Sequence, residues 1–170
     1  MVRTMKTLLL ALAMFTAAMV SCSGQKAFSL PNTAMEPTIL KGEKFTVEMK
    51  PFQPSRGDLV VFEHDGILRV KRVIAVASDT IQGRDNRIFV NGSLLNEGYI
   101  EHVGPPHGPL ATFGPVTVPT SKLFVAGDNR DYSLDSRTPE FGLVATDDIK
   151  GRPVEIVQSP NAERVHKSLQ

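Results

Sequence analysis

Apolar and polar residues alternate with a period of two in several segments after residue 26, which is the pattern of half-buried β-strands. Two dipeptides, Asp65-Gly66 and Asn91-Gly92, separate such segments and favour tight hairpin turns. The pattern predicts strands at residues 45–49, 59–62, 67–76, 87–90, 93–95, 114–120, 123–125 and 152–157. We therefore predict a mainly β domain, with a surface loop over the Gly- and Pro-rich residues 98–112.

The start of the chain has a different pattern. Arg3 and Lys6 precede an apolar stretch, residues 8–20, and small residues follow it. As a helix this stretch would reach only about 20 Å, short of a bilayer core of roughly 30 Å. A positive flank before a short apolar core is typical of a secretory signal. We predict that residues 1–21 are a signal peptide or signal anchor and that the domain works outside the cytoplasm.

The single cysteine, Cys22, directly follows this stretch in the sequence Met19-Val20-Ser21-Cys22. The segment resembles the lipobox of bacterial lipoproteins, where the cysteine receives a lipid and becomes the mature N-terminus. The alternative is that Cys22 ends a signal-anchor helix. Both interpretations tether the domain to membrane lipid, so we expect residues 22–30 to be a membrane-proximal linker. The domain itself is predicted at 31–158, with a polar tail at 159–170.

The composition indicates which partners and cofactors are not expected. The formal net charge of +1 gives no electrostatic reason to expect nucleic acid, and 6% aromatic residues without tryptophan offer few surfaces for base stacking. One cysteine excludes an intrachain disulfide and a cysteine-based zinc site. The four histidines show no metal-ligand spacing. We expect no metal or organic cofactor.

Three segments carry the chemistry of the domain. They are residues 31–38 (PNTAMEPT), residues 70–75 (VKRVIA, preceded by RGDLVVF at 56–62) and residues 127–137 (GDNRDYSLDSR, followed by Phe141-Gly142). In order and spacing they resemble the signature boxes of type I signal peptidases of the Ser/Lys-dyad class. The resemblance implies packed antiparallel sheets with a peptide groove beside an exposed strand edge. It also implies removal of signal peptides from exported proteins, on the outer face of the bacterial cytoplasmic membrane or facing the periplasm.

The resemblance assigns a role to individual residues. Lys71 matches the general base, and Ser133 matches the serine that orients its amine. The backbone of Ala34 matches part of the oxyanion hole. Asn32 stands where the family often has a serine whose hydroxyl helps form this hole; its amide N–H could donate instead, or Asn32 only shapes the turn at Pro31. Residues with a supporting role in the resemblance are Met35, Pro37, Asp128, Asp135 and Arg137.

The strand period adds a constraint on the base. Lys71 and Arg72 are adjacent in a strand, so their side chains point to opposite faces, and both faces are largely apolar. A general base must be a neutral amine, which requires burial to lower a pKa that is normally near 10.4. Composition alone instead favours two cations that extend to water at a sheet edge.

Ala34 occupies the position of the nucleophilic serine. A methyl group cannot attack a carbonyl, so we expect the chain to be inactive as a protease. Three interpretations remain open: a Ser→Ala change made to trap substrate, a natural pseudoenzyme that binds extended peptides, or rescue by Thr33. The last is disfavoured because adjacent side chains of an extended segment point in opposite directions.

Overall fold

The computed structural model describes residues 25–100 and 112–170. The predicted signal segment and Cys22 lie outside the described residues. The described residues form eleven strands. They are β1 Gln25–Ser29, β2 Lys44–Glu48, β3 Leu59–His64, β4 Ile67–Ala75, β5 Thr80–Arg84, β6 Arg87–Val90, β7 Ser93–Leu94, β8 Phe113–Thr117, β9 Lys122–Ala126, β10 Val144–Ala145 and β11 Ile149–Gln158. Two short 3-10 helices lie at Thr146–Asp148 and Ala162–Arg164.

The strands form two antiparallel sheets, as the sequence predicts. The larger sheet has the strand order β1-β2-β11-β3-β4-β9-β10, and the smaller one has the order β7-β6-β5-β8. The two predicted hairpin turns are present, with positive φ at both central residues of Asp65-Gly66 and Asn91-Gly92. That combination suits the right-handed twist of the flanking strands. The mainly β prediction is confirmed.

The structure adds strands that the alternation did not show. Residues 25–29, predicted as part of a linker, form β1 and pair with β2 in register from Gln25↔Glu48 to Ser29↔Lys44. β5 contains Gly83 and polar residues, and it is held as a strand because β6 and β8 pair with it on both sides. These cross-strand contacts override weak local propensity.

The predicted polar tail packs onto the domain. Its residue Leu169 is buried in the same hydrophobic cluster as Met35 and Phe45. Ser168 forms an isolated antiparallel bridge with Glu155 of β11. The tail is therefore part of the fold, because one apolar side chain at its end reaches a core that the local sequence does not reveal.

The large sheet separates two of the three apolar clusters. Val61 and Val70 belong to a cluster on one face of β3 and β4, whereas Val60 and Val73 belong to a cluster on the other. The third cluster lies between the two sheets and includes Ile81 and Phe124. Within the described parts of the chain, no helix is long and apolar enough to cross a membrane.

Candidate functional site

Three chain segments meet at one end of the large sheet. The loop at 30–43 connects β1 to β2, β4 carries Lys71, and the segment at 127–137 follows β9. β9 pairs with β4 from Arg72↔Ala126 onward, which brings the start of the third segment beside Lys71. The backbone N–H of Asn129 donates to the carbonyl oxygen of Ala34 at 3.1 Å, so the first loop is attached to the same place.

Lys71 and Ser133 form a buried pair. The Lys71 Nζ donates to the Ser133 Oγ at 2.8 Å, and each residue has only 5% of its surface exposed. The structure thus brings together two residues that are 62 positions apart in the sequence. One N–H of the amine is committed to Ser133, which fixes the position of the nitrogen.

The environment of Lys71 disfavours its charged form. Burial is the main cause and lowers the pKa of Lys71 from 10.5 to about 8. The negative charge of Asp135 opposes this shift, while the positive charges of Arg69 and Arg137 add to it. A pKa near 8 leaves a useful fraction of neutral amine close to neutral pH.

Asp135 and Arg137 support Ser133 from behind. Arg137 donates through Nε to one Asp135 oxygen at 2.8 Å and through Nη2 to the other at 3.0 Å. Burial opposes ionisation of Asp135, but these bonds, the charge of Arg137 and hydrogen bonds from Ser133 and Gly127 outweigh it and lower the pKa of Asp135. The Ser133 oxygen accepts from the Lys71 Nζ at 2.8 Å and from the Gly127 N–H at 3.1 Å.

Residue 127 must be glycine because there is no room for a side chain. A Cβ on residue 127 would overlap both the Ser133 Oγ and the carbonyl oxygen of Ala34. The position has an ordinary negative φ, so the restriction is one of space and not of backbone conformation. The same close approach shows that Ala34 and Ser133 flank one small volume at the end of β9.

The backbone of Ala34 differs in one respect from the oxyanion hole that the sequence predicts. Its N–H donates to the Oδ1 of Asn32 at 3.1 Å, so this donor is occupied in the structure. The bond spans two residues and is the local side-chain-to-backbone type that asparagine favours in turns. The Asn32 amide keeps its NH₂ group as a possible donor.

Arg72 joins all three segments from the opposite face of β4. It donates to both Asp128 oxygens, through Nε at 2.8 Å and through Nη2 at 2.6 Å. Thr38 donates its hydroxyl to Asp128 at 2.5 Å, and Arg72 stacks over the ring of Tyr99 at 4.1 Å. The two adjacent cations therefore point to opposite faces, as predicted, but neither extends freely to water. The bidentate pair with Asp128 was not predicted.

The loop around Ala34 is held by contacts that the sequence analysis missed. Met35 is fully buried, and Arg164 of the tail donates to the carbonyl oxygens of Pro37 and Thr38 at 3.1 and 3.0 Å. Arg164 also binds the buried carboxylate of Glu43, with Nε to Oε1 at 2.6 Å. No local pattern could reveal this contact, because Glu43 and Arg164 are 121 positions apart.

A second missed pair stabilises the third segment. Arg130 donates to both oxygens of Glu97, and through Nε to the carbonyl oxygen of Gly127 at 2.9 Å. The Arg130 and Glu97 side chains are each 7% exposed. This pair fixes the backbone of Gly127 and so the position of the Ser133 and Asp135 pair that Gly127 contacts.

The site is open on one side. Residues 67–72 of β4 pair with β3 along one edge, whereas pairing with β9 on the other edge begins only at Arg72. An open cleft of about 460 Å³ lies beside the Ala34 loop and is lined by Thr33, Glu36, Asn129, Asp131 and Tyr132. Among residues 25–100 and 112–170, no group of His, Cys, Asp or Glu side chains is arranged to hold a metal ion.

Comparisons with known proteins agree with this architecture. The sequence profile of the family described as "Signal peptidase, peptidase S26" matches residues 1–157. The signal peptidase I of Bacillus licheniformis is 36% identical over 134 residues, covering 69% of this chain and 68% of that protein. The probable signal peptidase I-2 of Synechocystis is 32% identical over 134 residues, covering 72% of this chain but only 58% of the relative's length. The crystal structure of a signal peptidase I from Enterococcus faecalis superposes with a TM-score of 0.51 at 30% identity, covering 61% of this chain and 98% of that structure.

Proposed function

This chain belongs to the signal peptidase family, peptidase S26, and we propose that it binds extended peptides of exported proteins in a signal-peptidase groove without cleaving them. The observation that carries the proposal is the buried Lys71–Ser133 hydrogen bond of 2.8 Å, next to a position 34 that has no hydroxyl. The groups that would activate and position a nucleophile are present, and the nucleophile is absent.

The free edge of β4 supports peptide binding. The backbone of residues 67–71 has hydrogen-bonding groups on the side away from β3, and no strand of the described chain pairs with them. An extended peptide can add to such an edge as a further strand, which gives main-chain hydrogen bonds that are largely independent of sequence. The same edge leads directly to Lys71, so a bound peptide would pass the catalytic amine.

The site lacks the group for one chemical step, the nucleophilic attack on the peptide carbonyl. In a working enzyme of this design, the neutral Lys71 amine would take the proton of a serine hydroxyl at position 34 while that oxygen attacked the peptide carbonyl. Ser133 accepts one N–H of the amine at 2.8 Å and so holds the amine in place. With alanine at 34 there is no bond-forming oxygen, and we expect no acyl-enzyme. The loss of a catalytic serine costs on the order of a million-fold in turnover in a comparable protease.

We place the domain outside the cytoplasm, tethered to the membrane. The proposal rests on the signal-like residues 1–21 and on Cys22. Two acyl chains on Cys22, or a signal anchor, would keep the groove close to exported proteins as they emerge. Signal peptides and other extended segments of these proteins are the proposed ligands.

Cleavage by the Ala34→Ser variant tests the proposal. The full chain and its variant are purified in detergent and incubated with a peptide that carries alanines before the expected cut. Products are identified by mass. A matched control, Ala34→Ser with Lys71→Met, lacks the proposed base. We expect cleavage by the Ala34→Ser variant alone.

The other outcomes have definite meanings. Cleavage by the unchanged chain would overturn the assignment of position 34 and make Thr33 the candidate nucleophile. Cleavage by the double variant would exclude Lys71 as the base. If the peptide binds neither the chain nor the Ala34→Ser variant in a parallel titration, the domain has no peptide groove and the proposal fails.

A further inference from the structure

Among the described residues, the Arg69 side chain beside the proposed groove has no polar partner. This side chain makes no hydrogen bond and no ion pair within residues 25–100 and 112–170, and its Nε is buried without an acceptor. Its guanidinium lies 5.7 Å from the centre of the Phe141 ring, and the residue is only partly buried. A partly exposed guanidinium that has no carboxylate partner among the described residues is suited to a ligand that supplies one.

Position 69 shares a face with the proposed base. Lys71 and Arg69 are two residues apart on β4, so both side chains point to the same side of the sheet. The register agrees, since Val60 lies opposite Lys71 and Phe62 lies opposite Arg69 on β3. The charge of Arg69 is also close enough to Lys71 to lower the pKa of that amine.

The backbone of residue 69 lies on the free edge. It pairs with β3 on one side only, because β9 begins to pair with β4 at Arg72. A peptide strand added here would place every second side chain on the face of Lys71 and Arg69, with cross-strand Cβ atoms about 5 Å apart. A carboxylate on such a side chain would lie within reach of the Arg69 guanidinium, whose planar fork matches two carboxylate oxygens.

We propose that Arg69 is a specificity-determining residue that selects peptides with an acidic side chain at the one position facing it across the free edge of β4. The inference rests on the proposed peptide groove and adds its preferred ligand. The acidic side chain would pair with the Arg69 guanidinium, and it would also face a region that already holds a second positive charge, Lys71.

Peptide binding to the chain as it exists tests this inference, since Ala34 prevents the ligand from being consumed. The chain contains no tryptophan, so fluorescently labelled peptides are titrated and read by anisotropy. A neutral alanine-rich peptide is compared with a series in which aspartate is placed at each position in turn. Each aspartate peptide has an asparagine counterpart of the same shape.

We expect one aspartate position to bind about tenfold tighter than its asparagine counterpart, and the difference to shrink in high salt. Arg69→Met should abolish this preference while leaving the neutral peptide bound. Arg69→Lys keeps the charge without the fork, so it should retain a preference of about threefold. The matched control is Arg84→Met, because Arg84 also lies over an aromatic ring, Phe89 at 5.1 Å, but in the smaller sheet.

The outcomes separate this inference from the proposed function. If peptides bind but no aspartate position is preferred, or if Arg69→Met keeps the preference, the role of Arg69 is refuted and the groove stands. If no peptide binds, both fail. Thermal unfolding of each variant shows whether a lost preference comes from a lost fold, and Arg69→Lys provides a second variant if Arg69→Met does not fold.

Discussion

Replacing Lys71 by methionine should stabilise the domain near neutral pH. Methionine is unbranched and of similar length, so it can fill the same buried space without a charge. Lys71 is 5% exposed and has a pKa of about 8 instead of 10.5. Each unit of pKa shift corresponds to about 1.4 kcal/mol, so burying the ammonium costs about 3 kcal/mol of folding free energy.

The sign of the pH dependence follows from the direction of the shift. Below pH 8, Lys71 is protonated in both the folded and the unfolded chain, and the folded state bears the full cost. Between about pH 8 and 10.5 the unfolded chain binds more protons, so the free energy of unfolding rises with pH. The methionine variant lacks this titration. Its advantage is therefore largest at pH 7 and disappears towards pH 10.5.

The lost hydrogen bond to Ser133 reduces the gain by about 1 kcal/mol. We expect Lys71→Met to raise the free energy of unfolding at pH 7 by about 2 kcal/mol, which for a domain of this size raises Tm by roughly 4–8 °C. Guanidinium unfolding followed by circular dichroism at pH 7, 8.5 and 10 measures the difference. The control, Lys41→Met, removes an exposed lysine. If Lys71→Met is less stable than the parent at pH 7, or if the difference does not change with pH, the buried amine is not destabilised as argued.

Two further variants test the support of the site. Gly127→Ala would force a Cβ against the Ser133 Oγ and the Ala34 carbonyl, so it should cost about 1–3 kcal/mol and reduce cleavage by an Ala34→Ser variant at least tenfold in a peptide assay. Glu43→Gln leaves Arg164 without its buried carboxylate and should cost about 3 kcal/mol at pH 7. The hydrogen bonds of Glu43 outweigh its burial and lower its pKa from 4.5 to about 2. The parent should therefore lose more stability than Glu43→Gln as pH falls between those values, as acid titration followed by circular dichroism would show.

Local patterns predicted most of the strands, but not β1 at the edge of the larger sheet or β5 inside the smaller one. The turns at Asp65-Gly66 and Asn91-Gly92 specify their hairpins within a few residues, so the hairpins could be predicted from the sequence. β1 and β5 could not, because they are strands through pairing with partners that are distant or weakly patterned. The conformation of such residues depends on the strands that pair with them more than on their own propensity.

The candidate site also contains contacts that the sequence could predict and contacts that it could not. Asp135 and Arg137 are two positions apart and have a supporting role in the resemblance, and the structure pairs them at 2.8 Å. The burial of Lys71 could not be derived from its own strand, because composition favoured exposure. It depends on Ser133, 62 positions away, and on the packing of the whole segment between them. The pairs of Arg72 with Asp128 and of Arg130 with Glu97 are also long-range and leave no local signal.

Because of the pKa of Lys71, peptide binding and peptide cleavage should depend on pH in opposite directions. At pH 7 the amine is mostly protonated, since its pKa is about 8, and it has N–H donors beyond the one given to Ser133. In the chain with Ala34, a peptide carbonyl in the groove can accept a charge-assisted hydrogen bond from this ammonium, so peptide affinity should fall as pH rises through 8. In an Ala34→Ser variant the neutral amine is the base, so kcat/KM should rise through the same pH. Measuring both between pH 6.5 and 9.5 tests whether one group governs the two functions. Opposite trends with a shared midpoint are expected, and a binding constant that does not change with pH would show that Lys71 does not contact the bound peptide.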